Sequence, residues 1–287
     1  MQTESFAAII DQLWDTWKDF APVPLSQLLS YSGRMAITFD EPIVILCMAV
    51  FAISRGSDAI SGELNRGTME MLLAQPVSRI SILYTQALVT TVGMATLAMA
   101  IWLGMWVGIH TFSVKETPPP KSFAVPLVGW KVPLSFSKPE KVSIPMSEKV
   151  SETDFLPGVL NYFSLGFCLA GIATLLSSLD RFRWRTIGLM VSFYVISLIL
   201  KITALALPDY RWLKRLSIFT PYEPQRFVHF AVNYPEQAWN LLLWDEKQQA
   251  FSGLGPLGCH LMLIAVGSIS YILAGWIFSR RDLPAPM

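Results

Sequence analysis

The stretch E-L-N-R-G-T-M-E-M-L-L-A-Q-P-V-S-R, residues Glu63 to Arg79, lies between two long apolar runs. Gly67 costs a helix about 1 kcal/mol relative to alanine, so it marks a joint. Thr68 is a suitable N-cap, Glu70 suits the positive end of the helix dipole, and Pro76 ends the helix. The apolar side is formed by Met69, Met71, Leu72 and Leu73. The stretch therefore predicts a short amphipathic helix at the membrane surface.

The composition indicates an integral membrane protein. Of 287 residues, 53% are hydrophobic and 15% are charged, whereas a soluble domain carries about 25% charged residues. The net charge of +1 argues against a nucleic-acid partner. The cysteines Cys47, Cys168 and Cys259 lack metal-site spacing, which argues against a disulfide framework or a zinc site. The three histidines are scattered, so we expect no metal site.

Five apolar runs are long enough to cross a bilayer of about 30 Å as helices. They cover residues 35–53, 80–111, 155–179, 186–207 and 256–278. The predicted fold is an all-α integral membrane protein, one transmembrane domain over residues 1–287. Within the run 155–179, the spacing of Gly166, Ala170 and Thr174 forms a small-residue ridge that predicts close approach of another helix.

The remaining segments are predicted to lie outside the bilayer. Residues 4–20 form an apolar stripe with helical period, which predicts an amphipathic segment within 1–35 that rests at the interface or packs on a protein surface. The polar segments 112–154 and 208–255 are predicted external loops. Short strands are expected near 123–130 and 142–145.

The distribution of arginine predicts the orientation. The short connections carry only arginine as their basic residue: Arg55, Arg66, Arg79, Arg181, Arg183, Arg185, Arg280 and Arg281. Short basic loops face the cytoplasm. We therefore expect the segments 55–79 and 180–186 and the C-terminus to be cytoplasmic, in a multi-pass protein of the plasma or inner membrane. Five spans would then leave 1–35 outside, which predicts that a preceding span is missing from this sequence.

Three charged residues lie in or beside the predicted spans. Lys201 is near the outer end of its span, where it either snorkels to the interface or lines a substrate path. Asp40 and Glu41 either cap the first span at the water surface or line an outer vestibule, and we favour the cap.

Three motifs resemble those of the ATP-binding-cassette (ABC) type-2 permeases. The pattern E-x-x-x-G-T-x-E-x-L-L-x-x-P-x-S-R spans Glu63–Arg79, W-L-K-R-L-S-I-F-T-P-Y spans Trp212–Tyr222, and F-S-R-R-D-L spans Phe278–Leu283. The resemblance implies six spans per copy, a homodimer or heterodimer of permeases, and cytoplasmic ABC ATPase subunits. It makes 55–79 the coupling segment for the ATPase. The positions assigned to coupling are Glu63, Arg66, Gly67, Thr68, Glu70, Leu73, Pro76 and Arg79.

The leading functional hypothesis is the permease subunit of an ABC-type exporter. The chain contains no G-x-x-x-x-G-K-[ST] loop, so ATP is expected on a partner subunit and no cofactor on this chain. The alternative is a membrane-anchored interaction protein that acts through 112–154 and 208–255 without transport. On the residues alone, the helix at 63–79 could also rest in the headgroups without a partner. An integral-membrane enzyme is the weakest hypothesis, because no catalytic set is visible.

Overall fold

Helices make up most of the regular structure in the computed structural model, which describes residues 23–116, 122–124, 131–133, 142–245 and 250–281. Within these ranges, five helices are long and apolar enough to cross a membrane. This confirms the predicted class, an all-α membrane protein. The amphipathic segment predicted at 4–20 lies outside the described residues.

The helices run back and forth, with short connections at one end of the bundle and long ones at the other. In chain order they are α1 (Leu25–Leu29), α2 (Tyr31–Ala36), α3 (Pro42–Ser57), α4 (Glu63–Arg66), α5 (Thr68–Leu73), α6 (Arg79–Thr111), α7 (Leu156–Leu179), α8 (Arg183–Ala206), α9 (Pro224–Asn233) and α10 (Pro256–Arg280). A 3-10 turn, Ile37–Asp40, precedes α3, and a π-helical turn, Asp58–Gly62, follows it. The end of the bundle that carries α5 is called the α5 end, and the opposite one the loop end.

The long connections contain three antiparallel strand pairs. In chain order the strands are β1 (Ser113–Glu116), β2 (Ser122–Ala124), β3 (Lys131–Pro133), β4 (Val142–Pro145), β5 (Leu242–Asp245) and β6 (Ala250–Leu254). The pairs are β1 with β4, β2 with β3, and β5 with β6. The strand expected at 142–145 is confirmed. Of the strand expected near 123–130, the first two residues belong to β2 and the rest lie outside the described residues.

The first span is longer than predicted. We expected a helix over 35–53, but α3 runs on to Ser57 and continues through the π-helical turn into α4, which ends at Arg66. The polar residues of 54–66 stay helical because they bond to neighbouring helices, as described below. The other four spans begin and end within three residues of their predicted bounds. Ser78 caps α6, since its hydroxyl accepts from the Ser81 N–H at 3.1 Å.

The helix α7 occupies the centre of the bundle because small residues on two of its sides admit neighbours closely. On one side, a Cβ added at Gly56 of α3 would lie 2.8 Å from the carbonyl oxygen of Ala170, and Gly166 meets the side chain of Met48. This confirms the close approach that the ridge predicts. On the other side, a Cβ at Gly171 would lie 2.5 Å from the carbonyl oxygen of Gly267 in α10. Larger side chains at these positions would separate the helices.

Candidate functional site

The short helix α5 begins directly after a left-handed residue. Gly67 has φ 75°, ends α4 and precedes Thr68, the first residue of α5. The expected N-cap bond of Thr68 is therefore wrong: its hydroxyl donates backwards to the carboxylate and the backbone carbonyl of Glu63. The left-handed turn at Gly67 places Thr68 already inside the helix, so its side chain bonds the preceding turn instead of the helix's free N–H groups. The helix ends at Leu73, before Pro76.

One side of α5 is buried and the other is exposed. Met69 is 1% exposed and packs in a cluster with Ile60, Leu83, Ala274 and Phe278, while Leu73 is half-buried against the same cluster. The cluster joins α5 to the π-helical turn, α6 and α10. On the opposite side, Glu70 is exposed and Met71 is 72% exposed. The helix is thus fixed to three other elements of the bundle and presents a mixed acidic and apolar surface.

Asp58, in the π-helical turn, connects α5 to α8. Its carboxylate accepts from Arg66 Nη1 at 2.7 Å and pairs with Arg183 Nη1 at 3.3 Å. Arg66 also pairs with Glu63 at 2.8 Å, and Glu63 accepts from Thr68. A continuous chain of polar contacts therefore runs from the first residue of α5 to the first residue of α8.

A second polar contact holds the π-helical turn to α7. The hydroxyl of Ser177 accepts from the backbone N–H of Ser61 at 2.8 Å and of Ile60 at 3.2 Å. Ser61 Oγ in turn lies 3.2 Å from the Thr186 hydroxyl of α8. Ser177 thus supplies one acceptor to two N–H groups of the π turn. The turn is thereby tied to both neighbouring spans.

Arg79, the first residue of α6, joins this region to the end of α10. Its guanidinium donates to the carbonyl of Arg281 at 2.7 Å. Arg281 in turn donates to the carbonyls of Ser178 at 2.9 Å and Asp180 at 3.3 Å. The motifs at 63–79 and 278–283, far apart in sequence, thus meet at the α5 end, beside the turn between α7 and α8.

Lys201 lies at the loop end, apart from the coupling positions. Its ammonium donates to the carbonyls of Phe219 at 2.8 Å and Tyr222 at 2.9 Å. The ammonium group is therefore held by backbone carbonyls of the connection after α8. A side chain that snorkels to the interface would instead leave its ammonium group in water. Asn161 of α7 pins the same connection, since it donates to the Pro221 carbonyl at 3.0 Å and accepts from the Glu223 N–H at 3.2 Å. A role of Lys201 in a substrate path stays a prediction.

Glu223, next to this connection, is charged in its ion-pair network. It pairs with Lys214 at 2.8 Å and Arg226 at 2.9 Å. Burial raises the pKa of Glu223, but the ammonium of Lys214 and the guanidinium of Arg226 outweigh burial and hold the pKa below its ordinary value of 4.5. At neutral pH the carboxylate therefore helps to fix the loop end.

The structure brings most of the predicted coupling positions together and adds residues that the sequence did not single out. Glu63, Arg66, Gly67 and Thr68 form one contact network, while Glu70 and Pro76 are exposed beside it. The additions are Asp58 and Ser177. The one available signal is an acidic residue shortly after an apolar run, since Asp58 lies five positions beyond the predicted end of the first span at Ile53. Their contacts between different spans bridge 116 or more residues, so only the folded chain reveals them.

The match to known proteins covers nearly the whole chain. The family model described as "ABC-2 family transporter protein" matches residues 20–283, a range that holds all five spans, α5 and Arg281. A comparison with curated proteins finds no match. The matched range and the membrane helices agree with the three motifs quoted above. The chain belongs to the ABC-2 family of transporter proteins and is a multi-pass membrane permease of that family.

Proposed function

We propose that the chain is the membrane subunit of an ABC exporter in which α5 binds a separate cytoplasmic ATPase subunit. ATP is hydrolysed on that partner, and the permease moves its substrate outward. The proposal includes an α5 end that faces the cytoplasm, in line with the arginine distribution, and a second permease copy, identical or homologous. Outward direction and pairing rest on the resemblance to ABC type-2 permeases, whereas the docking helix rests on the geometry of α5.

The observation that carries the proposal is the two-sided environment of α5. An element that receives force from a soluble partner needs an exposed surface for contact and a firm attachment to the spans. Glu70 and Met71 provide the exposed surface, and the buried Met69 provides the attachment to α6 and α10. A helix that only rests in headgroups would turn its apolar residues towards lipid; here Met69 is directed into the protein instead.

The polar network supplies a route from α5 to the spans. A displacement of α5 would act through Thr68 and Glu63 on Arg66, and through Asp58 on Arg183 at the start of α8. Ser177 ties the same turn to α7. Ion pairs and buried hydrogen bonds of this kind transmit motion because they join otherwise rigid helices.

Site-specific photo-cross-linking tests the docking surface and identifies the partner in the same experiment. A benzophenone amino acid placed at Met71, in cells that make the full chain, should cross-link to an ABC ATPase that mass spectrometry identifies. The matched control is Trp212, 57% exposed at the loop end, which should give no ATPase adduct. If Met71 cross-links only to lipid and the loop end captures a protein, the membrane-anchored interaction protein is the better account.

A further inference from the structure

One exposed guanidinium group lies against two exposed aromatic rings at the start of α8. The Arg185 Cζ atom lies 5.1 Å from the ring centroid of Phe182 and 5.3 Å from that of Trp184. Trp184 is 68% exposed, and Arg181 of the same turn is exposed as well. Arginine stacked on an aromatic face keeps its N–H edges free for a further partner.

The same arrangement recurs at the end of α10. The Arg280 Cζ atom lies 4.5 Å from the ring centroid of Trp276, whose side chain is 53% exposed. Arg281 binds the carbonyls of Ser178 and Asp180, so the end of α10 is held next to the turn between α7 and α8. The stacked arginines at the start of α8 and at the end of α10 therefore both lie near the end of α7.

Arg181, Arg185 and Arg280 are exposed and have no acidic partner among the residues that the structure describes. Among the residues that the structure describes, Arg66 and Arg183 at the α5 end and Arg226 at the loop end pair with carboxylates. No ion pair is found there for Arg181, Arg185 or Arg280. The result is three positive charges without a described counterion, at the ends of helices that are long and apolar enough to cross a membrane.

We propose that Arg181, Arg185 and Arg280 form a binding site for the phosphate headgroups of anionic phospholipids, in the leaflet at the α5 end. Tryptophan prefers the headgroup level of a bilayer, and Trp184 and Trp276 place the stacked guanidinium groups there. A guanidinium group binds phosphate through two parallel N–H bonds. The site uses none of the residues assigned to coupling, so its loss should leave ATPase docking intact.

Lipid retention measures the site directly. The full-length protein is purified from bilayers of mixed phosphatidylcholine and phosphatidylglycerol, and the lipids bound per protein are counted by native mass spectrometry. Each of Arg181→Gln, Arg185→Gln and Arg280→Gln should weaken phosphatidylglycerol binding about fivefold, and the triple variant by far more, since one surface arginine contributes about 1 kcal/mol near an anionic membrane. Phosphatidylcholine retention should stay unchanged, which also reports that the variants fold.

The matched control removes three exposed arginines from the loop end, Arg34, Arg211 and Arg215. If this control loses as much phosphatidylglycerol as the triple variant, general positive charge explains the binding and the proposal is wrong. Inorganic phosphate added as competitor should displace little lipid; full displacement would point to a site for free phosphate. The site would be a protein contact instead if the triple variant kept its phosphatidylglycerol and lost a co-purifying ATPase.

Discussion

Asp58 and Arg183 are paired at 3.3 Å, although 125 positions separate them in the chain. Asp58 lies in the π-helical turn that leads through α4 to α5, the proposed coupling helix, and Arg183 is the first residue of α8. The guanidinium of Arg183 also bonds Ser54 of α3 at 3.3 Å. Three elements, including two membrane spans, are therefore held together at the point where a push on α5 would enter the bundle.

Replacing Asp58 by asparagine should reveal this connection in the stability of the protein. Arg66 and Arg183 lose their shared carboxylate, so we expect a loss of about 1–2 kcal/mol, moderated because all three side chains are partly exposed. A double-mutant cycle of Asp58→Asn with Arg183→Gln, followed by thermal unfolding in a bilayer mimetic, should show a coupling of about 0.5–1 kcal/mol. Asp58→Asn with Arg226→Gln at the loop end should be additive; an additive first cycle would refute the connection.

Gly62→Ala should lower the stability of the protein by displacing the side chain of Asp58. A Cβ at Gly62 would lie 2.1 Å from Asp58 Oδ1, so the carboxylate must move away from its arginines. We expect a lower Tm in the wild-type background. In an Asp58→Ala background the clash is absent, and the same substitution should raise Tm, since alanine favours the helix by up to about 1 kcal/mol. Gly188→Ala, with open space around its Cβ, is the control and should raise Tm in both backgrounds.

The effect of a substitution at Gly67 should arise from its left-handed backbone conformation and not from a steric clash of the new side chain. No heavy atom lies within 4 Å of an added Cβ, but φ is 75°. An L-residue there costs about 1–2 kcal/mol, with asparagine the least costly. Gly67→Ala should therefore lower Tm more than Gly67→Asn, and Gly104→Ala, in open space within α6, should not lower it. Equal effects of alanine and asparagine would mean that the left-handed conformation is not required.

The contribution of Glu223 to the stability of the folded protein should decrease as the pH falls. Its pKa is lower in the folded protein than its ordinary value of 4.5, so ionisation favours the folded state above that value. Glu223→Gln should lower Tm at pH 7, and the difference from wild type should shrink as the pH falls below about 4.5 towards the lowered folded-state pKa. Thermal unfolding of both proteins from pH 7 to pH 3 measures this. A difference that stays constant over that range would show that the carboxylate is not the cause.

The membrane helices could be predicted from sequence because each satisfies its own backbone, so that an apolar run of sufficient length is enough to identify it. Gly67 could likewise be identified as a joint, since its effect on a helix is a local property of the residue. The small-residue ridge of α7 was visible for the same reason: its spacing is a local pattern.

Features that depend on distant residues, or on the exact geometry of a turn, were missed or misjudged. The first span was predicted to end at Ile53, because the polar residues after it read as surface, whereas Ser177 and Arg183 satisfy them from other helices. Thr68 read as an N-cap, but the left-handed turn at Gly67 directs its hydroxyl to Glu63. The hydrogen-bond partners of Lys201 could not be predicted from sequence, because both carbonyls belong to a loop without a regular pattern.

Co-purification of the ATPase with a charge-reversed α5 tests the central claim most directly. The permease and the ABC ATPase identified by cross-linking at Met71 are produced together, and the ATPase retained per permease is measured for wild type, Glu70→Lys and Glu148→Lys. Both glutamates are exposed, one on α5 and one at the loop end. If α5 is the docking helix, Glu70→Lys should lose about tenfold or more of the ATPase, while Glu148→Lys retains it. Retention of the ATPase by Glu70→Lys at the wild-type level would contradict the account.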